Sequence, residues 1–311
     1  MKTAIIGGAG AMGSVFGGRL AQNSIDVTLL DVSRTAVDAI NTTGLHLDDK
    51  AGQSQNIKVK AVTDPREVGP VDLALVFVKC YYTEAAVRAA TPLIGSDTMV
   101  LSLQNGWGNA PRIAGIVGEE KVLLGVTYNS ATVLGPGHVQ HTGIGATFIG
   151  ELNGGISDRL KRIVDLFNAA NLETTASETV LETIWSKLAL NVCSLPTSAL
   201  LKFYAGQLIE HQGTLDLMSA LLNETVAVAK AQNIALDYDE RWQSITGLLE
   251  KATGAKASML QDVEAARRTE IDVINGAIVE AGQRLNIPTP YNQAMVWLVK
   301  SLEEALGKRN I

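Results

Sequence analysis

The spacing of apolar positions changes part-way along the chain. In the first half, short runs of consecutive apolar residues recur: "TAIIG" (3–7), "DVTLL" (26–30), "VDLALVFVK" (71–79) and "TMVLSLQNG" (98–106). Each is strand length and apolar at successive positions, which predicts strands buried on both faces. Between them lie "AMGSVFGGRLAQN" (11–23), rich in small residues, "SRTAVDAINTTG" (33–44) and "TEAAVRAATPLI" (83–94). These read as helices, and Ser33 and Gly44 suit the N-cap and C-cap of the second. Continuous apolar strands alternating with helices predict a parallel, doubly wound sheet.

The stretch 125–151, "GVTYNSATVLGPGHVQHTGIGATFIGE", is rich in Gly and Thr with β-branched runs, and predicts added antiparallel strands. A helix over 157–171 and a short strand in "LETTAS" (172–177) follow. From about Glu178 the strand pattern stops. "ETVLETIWSKLALNVCSLP" (178–196) reads as a helix ending at Pro196. Residues 214–233 and 258–286 read as long amphipathic helices, the second placing Glu270 and Asn275 inside it, and 291–308 as a final helix. The shift near residue 177 divides the chain into a Rossmann-type α/β domain, 1–177, and an all-helical domain, 178–311. A chain of 311 residues is long enough for two cores.

Composition narrows the function classes. Hydrophobic residues make up 46% and charged residues 19%, as in an ordinary globular enzyme. The net charge is −6 with no basic run, so nothing electrostatic points to nucleic acid or an anionic membrane. The longest strongly apolar run, "LALVFV" (73–78), is strand length, not membrane length, and the N-terminal run is too short for a signal peptide. Cys80 and Cys193 are far apart and form no CxxC motif, which fits a reducing cytoplasm. The four histidines show no metal-ligand spacing, and no metal is expected; "GHVQH" (137–141) reads as a strand edge.

The first candidate chemistry lies in "GGAGAMG" (7–13), which holds G-x-G-x-x-G as Gly8, Gly10 and Gly13. The motif follows the first strand and opens the first helix, the context it needs. The first glycine is expected to make the tight turn, the second to let the backbone approach a pyrophosphate, and the third to pack helix on strand. Ala9, Ala11 and Met12 complete the loop, and the helix N-terminus faces the phosphates. Asp31, about twenty residues on, is placed to bind the ribose hydroxyls of NAD and to repel the 2′-phosphate of NADP. Arg34 either reaches such a phosphate or is a solvated first-turn residue. NAD is therefore favoured.

The second candidate lies in "TIWSKLALNVCSLP" (183–196). Lys187, Asn191 and Ser194 share one helix face at spacings of four and three. A lysine in a largely apolar segment is either desolvated, with a lowered pKa suited to proton donation, or snorkelling to solvent.

These stretches, with "VKCYYTEAAV" (78–87), "LQNGWGN" (103–109) and above all "SMLQD…RRTEIDVINGAIV" (258–279), closely resemble the ketopantoate reductase family over essentially the whole chain. The resemblance implies hydride transfer from a nicotinamide cofactor, usually NADP, to the C2 carbonyl of a 2-oxo acid. Ketopantoate would become D-pantoate, a step of pantothenate biosynthesis. It implies Lys187 as general acid and Glu270 beside it and the nicotinamide ribose. It implies Asn105, Asn191 and Ser258 as substrate contacts, Asn105 also touching the cofactor, and Lys79 and Ala131 on the cofactor side. Three positions depart from the family pattern. Val32 stands where arginine usually grips a 2′-phosphate. Leu195 and Ala255 each replace a polar substrate ligand, and Ser194 could substitute for the first. A side branch, NAD-dependent D-2-hydroxy acid dehydrogenases acting on branched or aromatic 2-oxo acids, fits these departures and is the alternative. The amphipathic C-terminal helices could pair between subunits as a homodimer or pack within one core.

Overall fold

The computed structural model describes residues 1–309. Two compact units emerge: Met1–Gln104 with Asn109–Val180, and Asn105–Gly108 with the chain from Leu181 onward. The four residues 105–108 thus belong to the helical unit, although their chain neighbours belong to the other.

The first unit runs β1 (Thr3–Ile6), α1 (Ala11–Gln22), β2 (Val27–Leu30), α2 (Arg34–Thr43), β3 (Leu45–Asp48), β4 (Ser54–Ile57), β5 (Lys60–Val62), β6 (Leu73–Val76), α3 (Thr83–Ala89), β7 (Met99–Ser102), α4 (Asn109–Val117), β8 (Val122–Thr127), β9 (Ser130–Gly135), β10 (His138–Gly143), β11 (Thr147–Glu151), α5 (Asp158–Ala169) and β12 (Thr174–Ala176). The main sheet has the order β12-β11-β8-β7-β6-β1-β2-β5. Its centre is parallel, and β11 pairs antiparallel with β8. Every residue of β1, β2, β6 and β7 is buried, as continuous apolar runs require. Ser33 caps α2 by accepting from the Ala36 N–H, and Gly44 closes it at φ 86°.

The 125–151 stretch forms the expected antiparallel strands, and they divide between two sheets. β8 and β11 extend the main sheet, while β9 and β10 join β3 and β4 in a second sheet, ordered β4-β3-β10-β9. Helix α1 lies between the two sheets, and its small residues explain how. A Cβ on Gly17 would meet Leu29 Cδ2 at 2.4 Å on the main-sheet side. A Cβ on Gly18 would meet Ile57 and Leu45 side chains at 3.1 Å on the other. In the second sheet His138 Nε2 and Asp48 Oδ2 are in hydrogen-bond contact at 2.9 Å, so "GHVQH" carries a structural contact there, on inner strand β10 and not at a sheet edge.

The helical unit contains α6 (Val180–Leu201), α7 (Gln212–Ala231), α8 (Tyr238–Lys251), α9 (Ser258–Glu264), α10 (Asn275–Leu285) and α11 (Pro290–Arg309). Two expectations from the sequence are corrected. Helix α6 does not end at Pro196 but runs on to Leu201. Proline lacks the N–H that would bond the Val192 carbonyl. The Asn275 side chain supplies a substitute, Nδ2 donating to that carbonyl at 3.2 Å.

The 258–286 helix is broken into α9, a single 3-10 turn at Ile271–Val273, and α10. Helix α9 stops in a Schellman motif: the Arg267 N–H donates to the Asp262 carbonyl, and the Ala266 N–H to that of Val263. Ala266 takes a left-handed φ of 50°, where glycine is usual, at a cost of about 1 kcal/mol. Arg267 Nε also donates to Asp262 Oδ1 at 3.1 Å and ties the turn down. Glu270 therefore lies outside any α-helix, at φ −100°, and Asn275 is the first residue of α10.

Candidate active site

In the first unit the glycine loop is shaped by what a side chain would strike. The tight turn is made at Gly7, φ 82°, one residue before the glycine expected to make it. Gly8 instead allows close approach to β2, since a Cβ there would lie 2.7 Å from Leu29 Cβ. On Gly13 a Cβ would lie 2.3 Å from the Gly7 carbonyl oxygen, so any side chain would push α1 off the loop. At Gly10 the only close neighbour is that same oxygen, at 3.2 Å. Gly10 caps α1 without a side chain, and no acidic residue stands in the first turn. The first-turn amides, from Ala11, Met12 and Gly13, meet no side-chain cap, which suits an anionic group such as a pyrophosphate.

Asp31 closes the loop from the tip of β2. Its carboxylate accepts from the Ala9 N–H and from the Ser33 N–H, each at 3.0 Å. A carboxylate has lone pairs beyond these two bonds, so a ribose hydroxyl can still be bound. Val32, next along, is 96% exposed, and Arg34 is an exposed first residue of α2. The loop, the uncapped helix start and this acid fit a dinucleotide with free ribose hydroxyls. Lys79 precedes a 3-10 turn after β6, and Ala131 lies in β9 opposite His141. The end of β7 holds the Lys79 loop through Gln104, a residue the sequence reasoning did not single out. Its Nε2 donates to the Val78 carbonyl at 2.7 Å and to Thr83 Oγ1 at 2.8 Å.

In the helical unit the Lys187 side chain is half-buried in α6, and its Nζ donates to Asn105 Oδ1 at 3.0 Å. Burial pulls its pKa down to about 8, against the opposing charge of Glu270. Glu270 is itself 8% exposed. Asn105 is delivered by a tight turn that only glycine fits, since Gly106 sits at φ 80° close against Val273. A Cβ there would fall 2.3 Å from the Val273 carbonyl oxygen. The Trp107 N–H donates to that same oxygen at 2.8 Å, and the Trp107 ring packs against buried Trp185. Gly106 and Trp107 were also missed as site residues; the glycine directly after Asn105 was the available signal.

Asn191 follows Lys187 by one turn and is 7% exposed. No hydrogen bond to its side-chain amide is present among the described residues. Ser194 is buried, and its hydroxyl donates back to the Leu190 carbonyl at 2.7 Å. Ser258, exposed at the start of α9, is not hydrogen-bonded into this group. Leu195 is buried and Ala255 exposed. The helical unit thus gathers Lys187, Asn105 and Glu270, with Asn191 and Ser194 further along the same helix. Among the described residues no group of three or more His, Cys, Asp or Glu side chains could hold a metal ion.

A buried amine of lowered pKa, held by an amide oxygen and facing a carboxylate's charge, can hand a proton to a developing oxyanion. Residues 4–154 match "Ketopantoate reductase PanE/ApbA", and residues 179–303 match its C-terminal model. The chain belongs to the ketopantoate reductase family. One relative in this family is the 2-dehydropantoate 2-reductase of Pyrococcus abyssi, 35% identical over 312 residues, covering 99% of this chain and 100% of the relative. Among solved structures, the PanE/ApbA family ketopantoate reductase from Ralstonia eutropha superposes with a TM-score of 0.91 at 33% identity, covering 99% and 100% of the two chains. D-mandelate dehydrogenase with NADH and anilino(oxo)acetate superposes at 0.93 with 30% identity, over 99% of each chain.

Proposed function

We propose that the protein reduces the C2 carbonyl of a 2-oxo acid, ketopantoate giving D-pantoate, with a nicotinamide cofactor. The observation that carries this is Lys187: half-buried, bonded through its amine to Asn105, and drawn by desolvation to a pKa of about 8. The bound cofactor supplies a hydride to the carbonyl carbon. Lys187 in its ammonium form stabilises the charge that grows on the substrate oxygen and gives up one proton to it. Glu270 favours that charged form, and Asn105 Oδ1 aims the amine. Asn191, Ser194 and Ser258 bind substrate; Gly8 to Gly13, Asp31, Arg34, Lys79 and Ala131 bind cofactor, with Asn105 and Glu270 touching it.

A second reading is supported by Asp31 and Val32. With an acid at the strand tip and an exposed apolar residue beside it, only Arg34 is basic in this turn, which favours NAD. Leu195 and Ala255 offer no hydrogen bond to a polar substrate tip. Both features suit an NAD-dependent D-2-hydroxy acid dehydrogenase acting on a branched or aromatic 2-oxo acid.

Initial rates with NADH and NADPH, each against ketopantoate, 2-oxoisovalerate and phenylglyoxylate, separate the two. Ketopantoate as best substrate supports the first reading. Phenylglyoxylate or 2-oxoisovalerate with NADH supports the second. No turnover of any 2-oxo acid removes both. A cytoplasmic homodimer belongs to the same proposal. Two cysteines without a disulfide favour that compartment, and exposed Tyr291, Trp297 and Leu298 on α11 favour self-association. Light scattering tests the dimer.

A further inference from the structure

Resting on the Lys187 reading above, we propose that Asn275 is a positioning residue that fixes the Lys187 helix at its proline, through the Val192 carbonyl. The argument begins with Pro196. A proline inside a helix leaves the carbonyl four residues earlier without its donor. Here that carbonyl is Val192's, one residue past Asn191 and five past Lys187. A buried carbonyl without a donor is costly, and a helix relieves it by kinking or unwinding. Either movement would shift the face that carries Lys187 and Asn191.

Asn275 supplies the donor from 83 residues away, and it is fully buried itself. Its Nδ2 is shared between the Val192 carbonyl and Asn292 Oδ1, at 3.2 and 3.0 Å. Asn292 Nδ2 donates in turn to Glu224 Oε2 at 2.7 Å. The Glu224 carboxylate also accepts from the backbone N–H groups of Tyr291 and Asn292, both at 2.9 Å, at the start of α11. A chain of buried hydrogen bonds therefore runs from α7 through α11 and α10 to the carbonyl that Pro196 leaves open in α6. The amide orientations are fixed by their partners: a carbonyl requires a donor, so Nδ2 of Asn275 must face Val192.

The position of Asn275 ties this chain to the chemistry. It opens α10, directly after the short segment that begins at Glu270 and holds the 3-10 turn. Within six residues, Glu270 acts on Lys187 by charge, the Val273 carbonyl holds the Trp107 N–H beside Asn105, and Asn275 holds α6. One segment thereby sets the positions of all three members of the Lys187 group. The break in the 258–286 helix is what makes this geometry available.

The test uses two substitutions in the full-length enzyme, after the wild type has been shown to turn over a 2-oxo acid. Asn275→Leu keeps the volume and removes the donor. Pro196→Ala returns a main-chain N–H to the Val192 carbonyl. Asn275→Leu is expected to lower kcat at least tenfold, with the Kd for NADH or NADPH changed less than twofold by fluorescence titration. In the Pro196→Ala background the same substitution is expected to lower kcat no more than threefold. An unchanged kcat in Asn275→Leu, even with a lowered melting temperature, would overturn the proposal. So would an undiminished loss in the Pro196→Ala background. Should Asn275→Leu be insoluble alone, soluble double variant with kcat within threefold of Pro196→Ala supports the proposal, and its failure to appear overturns it. An inactive wild type would instead sink the 2-oxo acid reading, so the two failures are distinct.

Discussion

The glycine loop and the Lys187 group do their work by opposite means. The loop acts through backbone and through the absence of side chains: Gly7, Gly8 and Gly13 each stand where a Cβ would collide. It is held by few side chains: the Asp31 carboxylate accepts from the Ala9 N–H, and the Ser14 hydroxyl donates to the Gly8 carbonyl at 3.1 Å. The Lys187 group acts through side chains and is assembled from residues 105, 187 and 270, far apart in sequence. A site made of backbone can be written in one short motif. A site made of side chains depends on every element that carries them.

The contrast breaks most sharply at Lys187. Lys187→Met should lower kcat by about 10³-fold, within the range for loss of a general acid, while the Kd for NADH stays within twofold. Stopped-flow reduction and fluorescence titration check the two numbers. A mild effect on kcat would remove the general-acid role. The wild-type pH profile sharpens the same point. Reduction needs the ammonium form, so kcat/KM for reduction should fall as pH rises through about 8. Oxidation of the hydroxy acid needs the neutral amine and should rise through the same region.

Stability should move the other way. The folded pKa of Lys187 lies below its unfolded value, so the folded protein carries a penalty below about pH 8 that is relieved as pH rises toward the unfolded value near 10.5. At 1.36 kcal/mol per pKa unit that penalty is up to roughly 3 kcal/mol, reduced in practice by the bond to Asn105. Lys187→Met should therefore raise the urea midpoint at pH 7, and the gain should shrink by pH 10. An equal gain at both pH values would mean that packing, not charge, is responsible.

What could be read from the sequence follows the same division. The strand–helix alternation, the caps of α2 and the glycine loop are local, and the pattern of residues carried them. The strands β3 to β5 were not recognised, because they are short and β4 buries only Ile57. Helix α8 was not recognised either. The break in 258–286 was invisible for a clearer reason. A left-handed helix end usually announces itself with glycine, and here the residue is Ala266 within "EAARR". The amphipathic pattern resumes on the far side, so period alone runs straight through. Where α6 continues past Pro196, the Val192 carbonyl is met by Asn275, a partner no local pattern can supply. Lys187 stood out as a lysine among apolar residues, but its bond to Asn105 was not readable from spacing. The family resemblance implied that both residues act at the substrate, not that they bond to each other.

Two glycines, one in each region, sharpen the contrast at intermediate size. Gly13→Ala puts a Cβ 2.3 Å from the Gly7 oxygen, and should raise the Kd for NADH about 30-fold by displacing α1 from the loop. Its kcat at saturating cofactor should change little. Gly106→Ala combines a left-handed φ with a Cβ 2.3 Å from the Val273 oxygen. It should lower kcat about 30-fold by moving Asn105 away from Lys187, with cofactor affinity unchanged. If the two substitutions gave the same pattern of kcat and Kd, the functional division between the regions would be lost.

The smallest expected effect falls on Asp31, where the backbone-built region relies on a side chain. Its carboxylate does two things at once: it holds the Ala9 N–H in the loop, and it offers lone pairs to ribose hydroxyls. Asp31→Ala removes both. Loosening of the loop should weaken NADH and NADPH alike, since both carry the same pyrophosphate. Loss of the ribose contact should weaken NADH alone, and loss of the negative charge should favour a 2′-phosphate. The sum is a Kd for NADH raised about tenfold, worth about 1.4 kcal/mol, and a Kd for NADPH raised threefold or less. Titration of both cofactors reads the difference directly. Equal weakening of the two would leave Asp31 as a loop anchor only, and Arg34 would then carry no preference that Asp31 opposes.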